Sequence, residues 1–556
     1  MKGGHILQRS VVINLKKTNL KIISYILTFI AIISLFTACE KDDGSGYTFK
    51  ANLASNPQNL DPQLAVDTSS KTVLSNMLDG LVKINKNGSI EADAAEKYTI
   101  SDDGLVYTFE LKRGIYWESL NDYKAEMTAD DFVFAFQRIF DSNALYSPYV
   151  NDFSCIKNSA DVAQGTKSID QLGVKASDTY TLQIELEYPY YDFLELLTTT
   201  AAMPCNRYFF ESTKGRYGLS AETTASNGAF YLKEWNYDAY WDNNYIIMRR
   251  NKSNSATDFV YPYSLNFFIT GNSQQDADDY ASGNIDCYKS EIYNKKILNN
   301  NNFEQYSTKS YGLIFNTKSA YFSNSNLRFA LASAFSREAY SSLIDENYQN
   351  AYGIVPSSVT IFGKGYRDLI SETALSLYDA NTAAQLWRSE LSKINAESID
   401  GIKITVPEDF GGSDYLYYIT EQWQQNLGFF CGVEVVSENE YNMKIDDGTF
   451  EIALVEIAPT ENSPNDFLEY FSNGESKILM GYKNMSVYGN MQNVRKAGSL
   501  SNAIEYYSAA EKDIINSAVY IPLFYGNEYF IYGSDMADLI YYPFTNEVDF
   551  RYAKSF

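Results

Sequence analysis

The sequence predicts a protein of two or three domains that contain both β-strands and α-helices. With 556 residues, the chain is too long for one hydrophobic core. Hydrophobic residues make up 45% of the chain and charged residues 21%, values that are typical of globular domains. Segments with the two-residue period of a strand and segments with the period of a helix follow one another along the chain.

The first elements can be placed from local patterns. Alternation of apolar and polar residues predicts a strand over Tyr47–Leu53, and apolar spacing predicts a helix over Thr72–Leu81. Asp103-Gly104 separates two alternating runs, which predicts a hairpin whose second strand covers Leu105–Lys112. Thr128-x-x-Asp131 precedes an apolar run and predicts the start of a helix.

A second helical pattern lies in the middle of the chain. Leu327, Ala330, Leu331 and Ala334 follow helical spacing and are predicted to face a core. Arg328 lies beside them and could serve a salt bridge or a ligand, and we expect the salt bridge.

The histidine content restricts the chemistry. The only histidine, His5, precedes a segment that we expect to be removed, so the mature chain would have none. Serine and cysteine catalysis that depends on histidine, and zinc sites of the H-E-x-x-H type, are thereby excluded. A hydrolase that uses two carboxylates remains open, because the chain has 70 Asp and Glu residues.

The N-terminus has the pattern of a secretory signal. Lys16, Lys17 and Lys21 precede an uncharged apolar run over Ile22–Ala38, which is short for a membrane-spanning helix. Cys39 follows Ala38, as in the lipobox that this stretch resembles, although Phe36 stands where the lipobox has leucine. The resemblance implies a lipid on Cys39 and a lipid-anchored protein outside the bacterial cytoplasmic membrane. The alternative is an uncleaved anchor helix with an incidental cysteine.

The net charge disfavours nucleic acid and anionic membranes as partners. Residues 1–38 carry five basic residues and no acidic one, so their removal would change the formal charge from −25 to −30.

The four remaining cysteines have no C-x-x-C spacing, so we predict no metal site or cofactor and favour isolated thiols over two disulfides. They are Cys155, Cys205, Cys287 and Cys431.

Several short motifs, in a specific order, carry a family resemblance. They are Asn59-Leu60-Asp61-Pro62, Leu78-Asp79-Gly80-Leu81-Val82, Ala94-Ala95-Glu96-Lys97-Tyr98, Ser101-Asp102-Asp103-Gly104-Leu105 and Leu111-Lys112-Arg113-Gly114-Ile115. In this order they resemble the extracellular solute-binding protein family 5, which contains the oligopeptide- and dipeptide-binding lipoproteins of ABC importers. The resemblance covers nearly the whole chain after residue 46, although Ser226-Asn227-Gly228-Ala229 departs from the family's Gly-x-Gly-Pro-Tyr pattern.

The resemblance implies a fold and a domain order. The expected fold is α/β and two-lobed, of the periplasmic-binding-protein type (type II, cluster C), with an extra inserted domain. Ligand would bind between the lobes and be enclosed by hinge closure. The implied segments are a signal peptide (1–38), a lipidated tether (39–46), domain I (47–82, 205–308 and 521–556), domain II (83–204) and domain III (309–520).

The resemblance also implies ligand-binding residues. In peptide-binding members a carboxylate holds the amino terminus of the peptide, and Thr460 occupies its place here, with Glu461 one position later. Glu461 or Glu456 could make the ammonium contact instead. Ala458 belongs to the same stretch, and Tyr149 matches an aromatic region that faces the cleft.

The expected function is therefore that of a monomeric receptor without catalytic activity, which delivers oligopeptides to a permease and its ATPase subunits. One alternative is the same receptor for an oligosaccharide or a metal complex. A surface hydrolase with two carboxylates is a second alternative, and an adhesin or sensor is a third.

Overall fold

The computed structural model describes residues 46–556 except for 142–146, 241–243, 253–259, 271–272, 345, 362, 372–377, 411–412, 460, 473–478, 480–481 and 546. The predicted signal peptide, the tether up to residue 45 and Cys39 lie outside the described residues. Within Gly46–Phe556 the chain forms one unit.

The strands in chain order are β1 Thr48–Leu53, β2 Val82–Ile84, β3 Ile90–Ala92, β4 Ala95–Ile100, β5 Val106–Leu111, β6 Tyr116–Glu118, β7 Lys124–Glu126, β8 Val174–Asp178, β9 Thr181–Glu185, β10 Phe230–Asn236, β11 Tyr245–Arg250, β12 Ser264–Ile269, β13 Cys287–Ser290, β14 Asn302–Phe315, β15 Tyr348–Asn350, β16 Thr360–Ile361, β17 Lys364–Gly365, β18 Ile402–Pro407, β19 Cys431–Val436, β20 Ile452–Ile457, β21 Tyr520–Tyr532, β22 Met536–Ala537, β23 Ile540–Tyr542, β24 Glu547–Asp549 and β25 Lys554–Ser555.

The helices are α1 Thr68–Met77, α2 Ala129–Phe140, α3 Ser159–Ala163, α4 Phe193–Leu196, α5 Arg207–Ser212, α6 Ser273–Ala281, α7 Lys295–Leu298, α8 Ser325–Ser333, α9 Arg337–Tyr340, α10 Tyr366–Leu369, α11 Ala380–Lys393, α12 Ser413–Leu427, α13 Glu438–Asp447, α14 Pro464–Leu468, α15 Met485–Arg495 and α16 Leu500–Ser517.

Two hydrophobic cores organise these elements. The first core is built on the four-stranded sheets β1-β12-β11-β10 and β4-β5-β9-β8 and also includes Phe530 and Phe550 near the C-terminus. The second core surrounds a larger sheet with the order β13-β21-β14-β20-β18-β19. We call residues 46–301 and 533–556 the first lobe and residues 316–519 the second lobe.

Strands β14 and β21 join the two lobes. They pair antiparallel from Asn302↔Tyr532 to Ile314↔Tyr520, and the register shifts between Ser307 and Lys309 and again between Tyr311 and Gly312. One end of the pair contributes Phe530 to the first core, and the other end contributes Ile314 to the second core. The two register shifts interrupt the regular pairing between the two cores, and a two-lobed protein can bend at such positions.

The lobes also contact each other away from these strands. Phe544, in the C-terminal segment of the first lobe, packs into the second core. Gly88, in the turn between β2 and β3, lies so close to the turn between β16 and β17 that a Cβ on Gly363 would be 2.6 Å from the Gly88 carbonyl oxygen.

The local predictions for the first lobe are confirmed, with one shift. The predicted strand 47–53 is β1, the hairpin at Asp103-Gly104 is β4–β5, and Thr128 and Asp131 form the capping box of α2. The helix predicted over 72–81 is α1, which lies at 68–77, because the Asp67 side chain accepts from the Ser70 amide and starts the helix earlier. Leu78 is already extended, so the helix ends before the Asp79-Gly80 pair.

In the second lobe the apolar face is confirmed and the role of Arg328 is corrected. Leu327, Ala330, Leu331 and Ala334 are all buried. Arg328 is buried too, but its guanidinium donates to backbone carbonyls, at 2.7 Å from Phe322 O and 2.7 Å from Ser517 O, and no carboxylate partner is found among the described residues. The spacing could not show that α16 ends beside α8 and leaves carbonyls that need donors.

All four cysteines of the folded body are free thiols, as favoured from the sequence. Cys155, Cys205 and Cys287 are buried.

We expect substitution of Gly312→Ala to lower the free energy of unfolding by about 1–3 kcal/mol, because overpacking disturbs the strand pair. A Cβ at this position would lie 2.3 Å from Tyr520 Cζ. Chemical denaturation measures the change. Gly489→Ala on α15 is the matched control, since its Cβ would meet nothing within 4 Å, and it should stabilise by about 0.5–1 kcal/mol. Equal effects of the two substitutions would contradict the expectation.

Candidate ligand site

The predicted ligand-binding stretch follows β20 in the second lobe. Glu456 is near the end of that strand and is already engaged, because it accepts a hydrogen bond from Tyr311 and lies 3.4 Å from Lys309 Nζ. Ala458 follows the strand and is exposed. Thr460 lies outside the described residues.

Glu461 has a different environment from Glu456. Its backbone amide donates to Asp466 Oδ2 at 3.2 Å, which curls the loop at the start of α14. The residue is exposed, yet surrounding protein atoms reduce the hydration of its carboxylate and raise its pKa to about 7. The nearby carboxylates of Asp466 and Asp152 raise the pKa further, while Lys71 opposes the shift.

Tyr149 lies beside this region, and its hydroxyl is occupied. The side chain is 9% exposed, and its hydroxyl donates to the carbonyl of Ala65. Burial raises the pKa of Tyr149, and the charges of Asp152, Glu461 and Glu547 act in the same direction. The structure therefore places Tyr149 near Glu461, as a side chain that joins two segments of the first lobe.

Further acidic residues surround the same place. Reduced hydration raises the pKa of Asp152, and burial raises the pKa of both Asp192 and Glu547 to about 6. Lys71 on α1 opposes the shift for Asp152 and Glu547 as it does for Glu461. We call Asp152, Asp192, Glu461, Asp466 and Glu547 the carboxylate cluster.

The cluster draws on both lobes. Asp152, Asp192 and Glu547 belong to the first lobe, and Glu461 and Asp466 belong to the second lobe. Among the described residues, none of the carboxylates of Asp152, Glu461 and Glu547 lies within 4.0 Å of the Lys71 Nζ atom. The carboxylates of Asp466, Asp152 and Asp192 all disfavour the ionised form of Glu461, so a positively charged group beside Glu461 would be favoured.

Sequence reasoning found part of this cluster. Glu461 and Tyr149 were predicted as site residues, and the structure brings them into electrostatic contact. Asp152, three residues after Tyr149, could have been suspected from that proximity. Lys71, Asp192 and Glu547 were missed, because they come from segments far apart in sequence and carry no motif.

In the described part of the chain, no group of three or more His, Cys, Asp or Glu side chains could hold a metal ion, and no helix is long and apolar enough to cross a membrane. A cavity of about 440 Å³ lies at the edge strand β19, lined in part by Tyr417, Glu421 and Phe430, and shares no residue with the carboxylate cluster.

Two lobes joined by a pair of strands, with acidic residues of both lobes around Glu461, are the arrangement expected of a solute-binding protein of the two-lobed type. The family model described as bacterial extracellular solute-binding proteins, family 5 Middle, matches residues 89–477. Because this match covers more than half of the chain, the protein belongs to that family. The family predicted from the sequence motifs and the two-lobed α/β fold are thereby confirmed.

Known relatives cover almost the whole chain. The dipeptide-binding protein DppE of Bacillus subtilis is 24% identical over 90% of this chain and 91% of its own length. The periplasmic oligopeptide-binding protein OppA of Salmonella typhimurium is 26% identical over 92% and 94%. Among solved structures, the unliganded open form of the periplasmic murein tripeptide-binding protein MppA is 21% identical, covers 92% of this chain and 98% of its own, and has a TM-score of 0.70.

Substitution of Glu461→Gln should stabilise the ligand-free protein at pH 8, because it removes a carboxylate whose ionised form is disfavoured first by reduced hydration and then by the charges of Asp466 and Asp152. The pKa of Glu461 is raised from 4.5 to about 7 in the folded state, so the folded form binds a proton more readily than the unfolded chain between these values. The ionised carboxylate therefore costs stability above pH 7, and this cost disappears as the pH falls toward 4.5.

Thermal denaturation at pH 8 and pH 5 in low salt measures the effect. The difference in Tm between Glu461→Gln and the parent protein should be positive at pH 8 and smaller at pH 5. Glu438→Gln, which removes the same charge from an exposed position on α13, serves as control. A Glu461→Gln variant less stable than the parent at pH 8 would count against a repulsive cluster.

Proposed function

We propose that this chain is the solute-capturing subunit of an ABC importer, which binds oligopeptides between its lobes and delivers them to a membrane permease. Family membership supports the receptor role, and the names of the relatives DppE, OppA and MppA support a peptide as ligand. Transport energy would come from separate ATPase subunits. The protein itself would have no catalytic activity and no cofactor.

The carboxylate cluster is the observation that carries the peptide proposal. A free peptide brings an ammonium group, which an ionised carboxylate holds by a charge-assisted hydrogen bond. Glu461 suits this role better than Glu456, because Glu456 already accepts from Tyr311 and pairs with Lys309. Ala458 and Thr460 would line the same stretch, and Tyr149 would support it from the first lobe.

Recognition would depend on both lobes. Asp152 and Glu547 on the first lobe and Glu461 on the second can reach one ligand only when the lobes approach each other, so a bound cation favours the closed arrangement. The register shifts in the β14–β21 pair supply places where the strands can bend. The permease would then recognise the closed, occupied receptor.

The receptor would act outside the cytoplasmic membrane as a monomer held by a lipid on Cys39. Family members are extracellular by description. We expect Cys39→Ser to release the protein from the membrane fraction of producing cells, because the thiol that carries the lipid is lost. Fractionation and intact-mass analysis measure this release, and a Cys39→Ser protein that stays with the membrane would contradict the anchor.

Native mass spectrometry of residues 46–556, purified without denaturation, tests the ligand. We expect masses of short peptides that are lost after unfolding and refolding. A receptor that retains no peptide and is not stabilised by a peptide library contradicts the peptide proposal and directs attention to the oligosaccharide and metal-complex alternatives.

Glu461→Gln should weaken binding of a retained peptide with a free amino terminus by about 10- to 100-fold, since a hydrogen bond to a charged group is lost. Isothermal titration at pH 8 measures the affinity. Glu438→Gln should bind as the parent protein does, and an acetylated amino terminus should weaken binding to the parent but not to Glu461→Gln. Equal affinity of the parent and Glu461→Gln would remove Glu461 from the site.

A further inference from the structure

A short segment of the first lobe reaches the second lobe beside the ligand site. Phe193 and Leu194, on α4, are buried in the first core. Tyr191, only two residues earlier, packs instead against the second core. The Tyr191 ring meets the Tyr507 ring edge to face, with the centroids 6.4 Å apart. This single turn of chain therefore has side chains in both lobes.

A chain of hydrogen bonds starts at this contact. The hydroxyl oxygens of Tyr191 and Tyr507 are 2.6 Å apart, and the Tyr507 hydroxyl donates to Asn465 Oδ1 at 3.0 Å. Because Tyr507 uses its proton on Asn465, Tyr191 is the donor to Tyr507. Tyr507 on α16 is fully buried, and hydrogen bonds in series inside a protein strengthen one another.

The chain of hydrogen bonds ends at the loop that carries Glu461. Asn465 lies in the first turn of α14, where its amide donates to Ser463 Oγ at 3.2 Å. The next residue, Asp466, accepts from the amide of Glu461, also at 3.2 Å. The position of the Glu461 carboxylate thus depends on a short loop whose far end is held by Tyr507.

The neighbour of Tyr191 contributes to the same environment. Asp192 Oδ1 has less than 1 Å² of accessible surface and no hydrogen-bond partner among the described residues. A buried carboxylate oxygen without a partner is costly, so the segment that holds Tyr191 also brings an acid of the carboxylate cluster into a buried position.

We propose that Tyr191 is a positioning residue for ligand capture: through Tyr507 and Asn465, its hydroxyl fixes the Glu461 loop of the second lobe relative to the first lobe. The inference rests on the proposed role of Glu461 as the ligand carboxylate. Tyr191 would thus belong to the first lobe and act on the ligand through the second lobe, without touching the ligand.

Tyr191→Phe keeps the ring and removes the hydroxyl, and Tyr507→Phe removes the other end of the same hydrogen bond. Tyr190→Phe is the matched control, because this neighbouring ring packs on the first core. The first readout is hydrogen exchange of the amides in residues 461–468 of the ligand-free protein. The second is the binding and release kinetics of the peptide Ala-Ala-Ala-Ala. Tm of each variant reports on folding.

We expect Tyr191→Phe to raise the exchange rate of the loop and to raise the release rate of the peptide, each by about two- to tenfold, which corresponds to one hydrogen bond. The association rate and the exchange of β18 should be unchanged. Tyr507→Phe loses its hydrogen bonds to both Tyr191 and Asn465 and should raise both rates at least as much as Tyr191→Phe does. The double variant should add little to Tyr507→Phe, since the bond between the two hydroxyls is already absent from that single variant. Tyr190→Phe should behave as the parent protein.

Unchanged exchange of the loop in Tyr191→Phe would overturn the proposal. A uniform increase of exchange together with a lower Tm would also overturn it, because that result is an effect on folding. Tighter peptide binding by the variant would overturn it as well, because the bond would then hold the lobes in the ligand-free arrangement. A parent protein that binds no peptide at all is a separate result: it contradicts the proposed function, while loop exchange still reports whether Tyr191 fixes the Glu461 loop.

Discussion

The antiparallel pairing of β14 with β21 is the interaction on which the rest of the structure depends. It is the backbone ladder that connects the two hydrophobic cores, and its ends are anchored in different cores by Phe530 and Ile314. Main-chain hydrogen bonds hold the pair together, so the register shifts near Ser307 and Gly312 can allow bending without loss of the connection. Both lobes, and the region between them, are placed by this ladder.

Low hydration opposes ionisation in the carboxylate cluster. Glu461 and Glu547 are kept where lost hydration makes ionisation unfavourable, and Lys71 offsets the shift only in part. Under the proposed function, a cationic ligand group would offset this cost and be held by the same carboxylates, so ligand binding would stabilise the folded protein.

Local sequence patterns were sufficient to predict those structural elements that are determined by residues close together in the sequence. The hairpin at Asp103-Gly104 and the capping box at Thr128 follow from residues within four positions of each other, and both were predicted. Arg328 was misassigned because two of its carbonyl partners lie at the end of α16, about 190 residues away in the sequence. Around the proposed ligand site, Glu461 was predicted from the motif that it belongs to, while Lys71 was not, since nothing in its own neighbourhood in the sequence marks it.

The sequence by itself determined the class of protein: ordered motifs defined the family, and the absence of histidine after His5 removed catalytic mechanisms that depend on histidine from the mature chain expected after signal-peptide removal. Only the tertiary structure decided which acids face one another and which residues link the lobes. The contact between Tyr191 and Tyr507 spans more than 300 positions and depends on how two separately folded cores are oriented. Periodicity and spacing describe short stretches of chain, and they hold no information on that orientation.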